Sequence, residues 1–279
     1  MTNSNRIALI TGVSVGGTGL ATAVALSKAG WTVYAGARRP ETLSDLEGLH
    51  LLKLDVTDEA SIQTAIQTIR AHGHSVDVLV NNAAYGEMGT VEEVPIARIR
   101  QQFETNVFGL VRMCQLVLPM MRQNGWGRII NVSSMGGEFT TPFAGFYHAT
   151  KYAVESLSDA LRIEVEQFGV DVVVVQPGGI NTPLAQQTVD AIPSEENSPY
   201  AAQLSAFRQF SQQMSSMFDQ IAVLPERVAE VIVSAIQADK PLTRYKVLVQ
   251  DMSSVNFTRN AADRERDNGL RQQFGLIAP

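Results

Sequence analysis

Apolar residues along the chain fall into short continuous runs separated by longer stretches with helical spacing. The runs are "RIALIT" (6–11), "TVYAGA" (32–37), "LHLLKLDV" (49–56), "VDVLVNNA" (76–83), "GRIINVSS" (127–134), "GVDVVVVQPG" (169–178) and "YKVLVQ" (245–250). Several are apolar at consecutive rather than alternating positions, the pattern of strands covered by helices on both faces. Between them lie amphipathic segments at 19–30, 58–73, 96–125 and 147–169. Gly30, Gly73, Gly125 and Gly169 stand just past these segments, where a left-handed residue closes a helix, and Asp58 is placed to cap the second one. The alternation predicts an α/β fold built on a doubly wound parallel sheet of about seven strands, with right-handed crossovers and ligands at the carboxyl ends of the strands.

Residues 183–225 are helical in pattern but longer than a connection needs to be, so they are expected to overhang the strand ends as a substrate lid. Phe207, Phe210, Met214, Met217 and Phe218 recur there at helix-like intervals; they suit either the packing face of the lid or a bulky apolar ligand. The tail at 254–279 is polar, and no shift of composition divides the chain, which reads as one domain. At 45% hydrophobic and 18% charged it has the balance of a soluble globular protein. The formal charge of −6 comes without a basic run, so neither nucleic acid nor an anionic membrane is expected as a partner. Cys114 is the single cysteine, which rules out an internal disulfide and a thiolate zinc site; its apolar neighbours predict a buried, inert thiol. His50, His72 and His74 are scattered and lack carboxylate or cysteine partners, so no metal site is expected. Neither a leader peptide nor a membrane-spanning run is apparent, and a cytoplasmic location is expected by default.

Candidate chemistry concentrates in "SSMGGEFTTPFAGFYHATK". Tyr147 and Lys151 are four apart at the start of a helical pattern and share one face. A phenol, with a pKa of about 10, is a poor base at neutral pH, and a neighbouring cation favours the phenolate. Ser134 ends an apolar strand, which puts a hydroxyl at the carboxyl edge of the sheet. His148 beside Tyr147 invites a hydrolase reading, but the chain has no G-x-S-x-G elbow.

Taken with "NNAA" (81–84), "NVFG" (106–109), "NVSS" before "YHATK", and "PGGINT" (177–182), this set resembles the short-chain dehydrogenase/reductase family over roughly residues 6–250. The resemblance implies a Rossmann-type sheet and an oxidoreductase interconverting a carbonyl and a secondary alcohol. Tyr147 is then the proton donor or acceptor. Lys151 lowers the Tyr147 pKa and holds the nicotinamide ribose, Ser134 polarises the substrate oxygen, and Asn106 holds a water linking Lys151 to solvent. Of the adjacent hydroxyls, spacing to Tyr147 favours Ser134 over Ser133. The cofactor is expected against Gly12, Ser14, Gly17, Thr18 and Gly19 in the turn, and against Asp55, Val56, Asn82 and Ala83 on the adenosine side. Tyr147, Lys151, Pro177, Gly178, Ile180 and Thr182 complete the set on the nicotinamide side. The second strand ends without an acidic residue for a ribose 2′-OH, and Arg38 and Arg39 there suit a 2′-phosphate, so NADP(H) is expected in preference to NAD(H). Glu138, Phe139, Phe143, Tyr147 and Met214 are expected to border the substrate, by analogy a hydrophobic ketone or alcohol. Pairing through the long helices at 96–125 and 147–169 implies a homodimer or homotetramer. Two other readings share part of the pattern: a non-catalytic dinucleotide sensor or scaffold, and an extended nucleotide-sugar epimerase or dehydratase.

The turn "ITGVSVGGTGLATA" (10–23) departs from the family's T-G-x-x-x-G-x-G. Counting back from Gly30 makes Gly17 and Gly19 the second and third motif glycines, with one residue inserted among positions 13–16. Dinucleotide binding is expected to survive, because the need for open N–H groups and no blocking Cβ is still met.

Overall fold

The computed structural model describes residues 6–43, 46–180, 182–183, 187–188, 192, 197–221 and 223–248, and only the backbone at 214–221. The strands are β1 Ile7–Ile10, β2 Thr32–Ala37, β3 His50–Lys53, β4 Val78–Asn81, β5 Gly127–Val132, β6 Val170–Pro177 and β7 Arg244–Val247. They pair in parallel as one sheet in the order β3-β2-β1-β4-β5-β6-β7. The helices are α1 Thr18–Lys28, α2 Glu59–Ala71, α3 Ile96–Phe103, α4 Gly109–Asn124, α5 Gly145–Val165, α6 Ala201–Ile221 and α7 Pro225–Gln237.

Successive strand residues point to opposite faces, and both faces are covered, which explains the continuous apolar runs. Leu9, Tyr34, Leu79, Ile129 and Val172 pack with Ile62, Ile66 and Ile69 of α2, Met113 and Val117 of α4, and Val154 of α5. Their neighbours Ala8, Ile10, Val33, Val80 and Val173 pack on the other face with Leu26 of α1 and with Val228, Ile232 and Ile236 of α7. Gly30, Gly73, Gly125 and Gly169 all have positive φ, as their positions past the helices require. The Asp58 carboxylate accepts from the backbone of Ala60 (2.9 Å) and Ser61 (3.4 Å), capping α2. Cys114 is buried, and burial pushes its thiol up to about 12. No described helix is long and apolar enough to cross a membrane.

Two expectations change. The single helix predicted over 96–125 is divided by a π-turn, Glu104–Phe108, between α3 and α4. The widened turn contains Asn106, whose side chain bonds backbone outside the helix. The predicted strand at 49–56 is shorter, because the chain turns at Asp55, whose carboxylate accepts from the backbone and hydroxyl of Thr57 at 2.9 and 2.7 Å.

Strand β1 lies between β2 and β4, so the crossovers depart in opposite directions from that point and leave a crevice at the carboxyl edge. At the opposite edge, Arg128 clamps the end of α7. Its guanidinium is 3% exposed, donates to the carbonyls of Ala235, Ile236 and Ala238 (2.9, 2.7 and 2.6 Å) and pairs with Asp171 at 2.6 Å. Arg128→Met leaves those terminal carbonyls without their donor and is expected to destabilise the fold by about 3 kcal/mol, read as a lower urea midpoint at unchanged slope.

Candidate active site

At the carboxyl end of β5 the chain turns tightly. Ser134 is extended, and its Oγ accepts from the backbone of Gly136 (3.0 Å), starting a short 3-10 turn over Met135–Gly137. Tyr147 stands in the first turn of α5, with the Ser134 hydroxyl near enough to act on its phenol. Ser133 is buried instead, with no partner for its hydroxyl among the described residues. Lys151, one helical turn beyond Tyr147, is 3% exposed; its Nζ donates to the Val132 carbonyl at 2.9 Å and lies 5.8 Å from the centroid of the Tyr147 ring.

Burial pushes the Tyr147 phenol up, against the effect of the Ser134 hydroxyl, and pushes the Lys151 ammonium down to about 8, against the Glu155 carboxylate. Desolvation wins, and the ammonium is held by a carbonyl.

Asn106 is wired into two elements. Its Oδ1 accepts from the Tyr85 backbone (3.0 Å), and its Nδ2 donates to the Tyr85 carbonyl (2.8 Å) and to Thr150 Oγ1 (3.1 Å). The Thr150 hydroxyl donates in turn to the Tyr147 carbonyl at 2.7 Å, so the π-turn braces the first turn of α5. His148 braces the other side. Gly136 offers only a carbonyl, so Nδ1 must carry the proton and donate to it (2.8 Å), leaving Nε2 to accept from Thr141 (3.1 Å). A Cβ at Gly136 would sit 2.4 Å from that Nδ1. Burial lowers the His148 pKa, in keeping with a neutral ring.

The glycine turn is held by its neighbours. Thr11 Oγ1 accepts from the backbone of Asn82 and Ala83 at 3.1 Å each, and Asn82 Nδ2 donates to the carbonyls of Thr11 and Gly12 at 3.0 Å each. Gly12 has φ +68, and a Cβ there would lie 2.5 Å from Ala83 Cα. Gly16 is also left-handed, at φ +70; Gly17 is the N-cap, and Thr18 and Gly19 open α1. Gly17 N donates back to the Ser14 carbonyl at 3.0 Å. No side chain caps this helix, which leaves its first-turn donors facing the crevice; a dinucleotide phosphate fits that donor set. Arg38 and Arg39 are exposed just beyond β2. Asp55 and Val56 follow β3, and Val56 packs so closely on Gly109 that a Cβ there would meet it at 2.7 Å. Pro177 ends β6, Gly178 N donates to the Val247 carbonyl (2.9 Å), and Ile180 bridges in parallel to Val223. Thr182 lies just past that bridge.

The residues expected around the substrate divide. Phe139 has its ring 5.5 Å from His148. Phe143 is left-handed (φ +61), held by a bond from Gly89 N to its carbonyl (2.8 Å) and by its ring 5.1 Å from Phe207 of α6. Phe207 and Phe210 belong to a cluster with Leu204, Ile192 and Met88, the packing face of the overhanging helix. Ser198 ties that segment down, donating to Glu93 at 2.7 and 2.9 Å. The side chains of Met214, Met217 and Phe218 lie outside the described residues, as does the tail at 254–279. Glu138 is already engaged: its carboxylate accepts from Gln176 (3.0 Å) and pairs with Lys246 (2.7 Å). Burial works to raise the Glu138 pKa, but these two bonds prevail and hold it below the ordinary range.

The model of the short chain dehydrogenases matches residues 6–193. This chain belongs to that family. Over 177 residues it is 43% identical to the 3-ketodihydrosphingosine reductase of Bacteroides thetaiotaomicron, a match covering 63% of this chain and 65% of that one. It is 33% identical over 243 residues to the probable short-chain type dehydrogenase/reductase VdlC of Helicobacter pylori, covering 86% and 88%. The solved short-chain dehydrogenase of Streptomyces avermitilis superposes with a TM-score of 0.78 at 33% identity, covering both chains fully. Family structures at 25% identity and TM-score 0.69 hold NADH in one case, a 3-ketoacyl-(acyl-carrier-protein) reductase of Brucella melitensis, and NADP in another, ElxO. A nicotinamide dinucleotide is the cofactor these neighbours support.

Within this short-chain dehydrogenase a set of residues behind the site escaped sequence reasoning. Glu155 Oε1 accepts from the buried Gln176 (3.0 Å), while Arg244 of β7 pairs with Glu155 (2.9 Å) and Asp159 (2.7 Å). Glu155 shares a helix face with Lys151 and was findable by its spacing; Arg244, 89 positions away, was not. The Lys151 shift has a consequence for stability. The folded group binds its proton less tightly than the unfolded one, so the unfolded chain holds more protons between about pH 8 and the ordinary lysine value of 10.5, and the stability contributed by this group rises with pH across that window. Lys151→Met, which removes the buried charge, is expected to stabilise the protein by about 2 kcal/mol at neutral pH in thermal or urea unfolding, with the gain fading as pH rises through that window.

Proposed function

We propose that the chain is an NADP(H)-dependent oxidoreductase interconverting a carbonyl and a secondary alcohol. The observation that carries this reading is the meeting of Ser134, at the turn after β5, with Tyr147 and Lys151, one helical turn apart at the start of α5, at the carboxyl edge beside the open N-terminus of α1. The bound nicotinamide supplies or takes the hydride. Tyr147 delivers a proton from its phenol oxygen to the substrate oxygen, or receives one in the reverse direction. Ser134 orients that oxygen and polarises it. Lys151, charged below about pH 8, stands close enough to favour the phenolate once the site is occupied. Asn106 keeps Tyr85 and α5 in register around the pair.

Gly12, Ser14, Gly17, Thr18 and Gly19 hold the pyrophosphate, with Asp55, Val56, Asn82 and Ala83 around the adenosine. Pro177, Gly178, Ile180 and Thr182 close on the nicotinamide side. Arg38 and Arg39 take the 2′-phosphate, since β2 ends without a carboxylate to take a 2′-OH. The substrate is a small hydrophobic ketone or alcohol; Phe139 and Phe143 border it from the turn after Ser134, with the carbon stem of Glu138 beside them. A relative named for a ketone reductase supports that class. Exposed Leu157 and Ile163 on α5 and Phe108 before α4 suit pairing of two copies through these helices.

Tyr147→Phe is expected to lower carbonyl reduction by a factor of about 10²–10⁴ while cofactor fluorescence still reports binding. Reduction at the wild-type rate would sink the assignment; no reduction of any ketone by wild-type protein that still binds the dinucleotide would favour the sensor reading. For the cofactor, Arg38→Ala with Arg39→Ala is expected to cut kcat/KM for NADPH by about tenfold or more and leave that for NADH unchanged. Wild-type use of NADH equal to or better than NADPH would overturn the preference.

A further inference from the structure

Away from the carboxyl edge, the fold gathers histidines that the sequence scatters. Tyr34 of β2 is fully buried, and its hydroxyl lies 2.7 Å from His72 Nδ1 and 2.8 Å from His74 Nδ1. The turn after α2 brings these two rings together. Gly73, left-handed at φ +75, donates to the Arg70 carbonyl (2.9 Å) and His74 N to the Ile69 carbonyl (3.2 Å), so the chain folds back and places both imidazoles against the phenol. His50, the cross-strand neighbour of Tyr34, stacks on its ring at 4.8 Å.

We propose that Tyr34 Oη, His72 Nδ1 and His74 Nδ1 form a binding site for a first-row divalent transition-metal ion of the zinc or copper type. A phenol has one proton to give. Facing two imidazole nitrogens, it donates to one and accepts from the other, which must then carry its own hydrogen. Three donor atoms thus converge around protons that a metal ion can replace. Among the described residues no three histidine, cysteine or carboxylate groups meet closely enough to hold a metal; here the third donor is a phenol. Binding breaks the Tyr34 O–H bond and forms a metal–phenolate bond, with release of that one proton. The imidazole that carried hydrogen on Nδ1 shifts to its Nε2–H tautomer, so its Nδ1 lone pair bonds the metal without further proton loss. With metal–ligand bonds of about 2.0–2.1 Å, tetrahedral donors lie about 3.3 Å apart, so each present contact opens by about half an ångström. His72 is exposed and His74 half-buried at a surface turn, which leaves room for that adjustment and for water as a further ligand. The ion joins β2 to the C-terminal turn of α2 and is independent of the chemistry proposed for the carboxyl edge.

The test uses untagged full-length protein freed of metal with a chelator, then titrated with zinc chloride or copper sulfate by calorimetry in two buffers of different ionisation enthalpy. One ion per chain is expected, with about one proton released, a tyrosinate ultraviolet difference signal and a raised melting temperature. Tyr34→Phe, which keeps the ring and both histidines, is expected to weaken binding by about tenfold or more and to abolish the tyrosinate signal. Should Tyr34→Phe fail to fold, the paired His72→Gln and His74→Gln substitutions at the surface turn carry the same expectation. Equal affinity in these variants, several ions bound without a tyrosinate signal, or no binding of either metal overturns the proposal.

Discussion

Parallel strands can be paired only if every return of the chain crosses the sheet, and each of these returns runs through a helix or overhanging segment. All seven carboxyl ends therefore lie along one edge, and those of β1 to β6 are each followed by a loop or helix start at that edge. The glycine turn after β1, Arg38 after β2, Asn82 after β4, Ser134 after β5 and Gly178 after β6 come from distant parts of the sequence and meet there for this reason alone. Covering both faces with helices also explains why the strands read as unbroken apolar runs and why the crossover after β5 is long enough to bring Tyr147 and Lys151 of α5 to that edge.

Within that frame the polar interior is wired rather than merely buried. Asn81 donates to Asn131 (2.9 Å) and Asn131 to Ser158 (2.9 Å), which links β4, β5 and α5 beneath the site. Asn106 and Thr150 fix the first turn of α5 from one side, and His148 with Gly136 fixes it from the other. Glu155, Gln176 and Arg244 stand behind Lys151. Such networks add little net stability when each donor is matched, but leaving one member unmatched is costly, so they favour one geometry over its neighbours. The cost is visible at Lys151, an ammonium kept where solvent cannot reach it. Such a group works against the fold.

Much of this was legible in the chain. Gly30, Gly73, Gly125 and Gly169 marked helix ends because only a residue free of Cβ strain closes a helix left-handed. The Ser134, Tyr147 and Lys151 set was legible because its members are close in sequence and their spacing follows helical and strand periods. The π-turn at Asn106 was not, since the side chain it contains bonds Tyr85, 21 positions away across a loop. Nor was the engagement of Glu138 by Lys246, 108 residues away, or the left-handed Phe143, held by Gly89 and by a ring of α6.

The sequence by itself determined the fold class, the order of strands and helices, the family and the small set of groups able to exchange a proton, because these depend on periodicities and spacings local to the chain. The tertiary structure alone decided the protonation environment of those groups and which distant side chains back them. It also brought His72, His74 and the cross-strand His50 around Tyr34. Burial and long-range pairing are properties of neighbours in space, and at Tyr147 and Lys151 burial outweighs the local charge that spacing alone suggests.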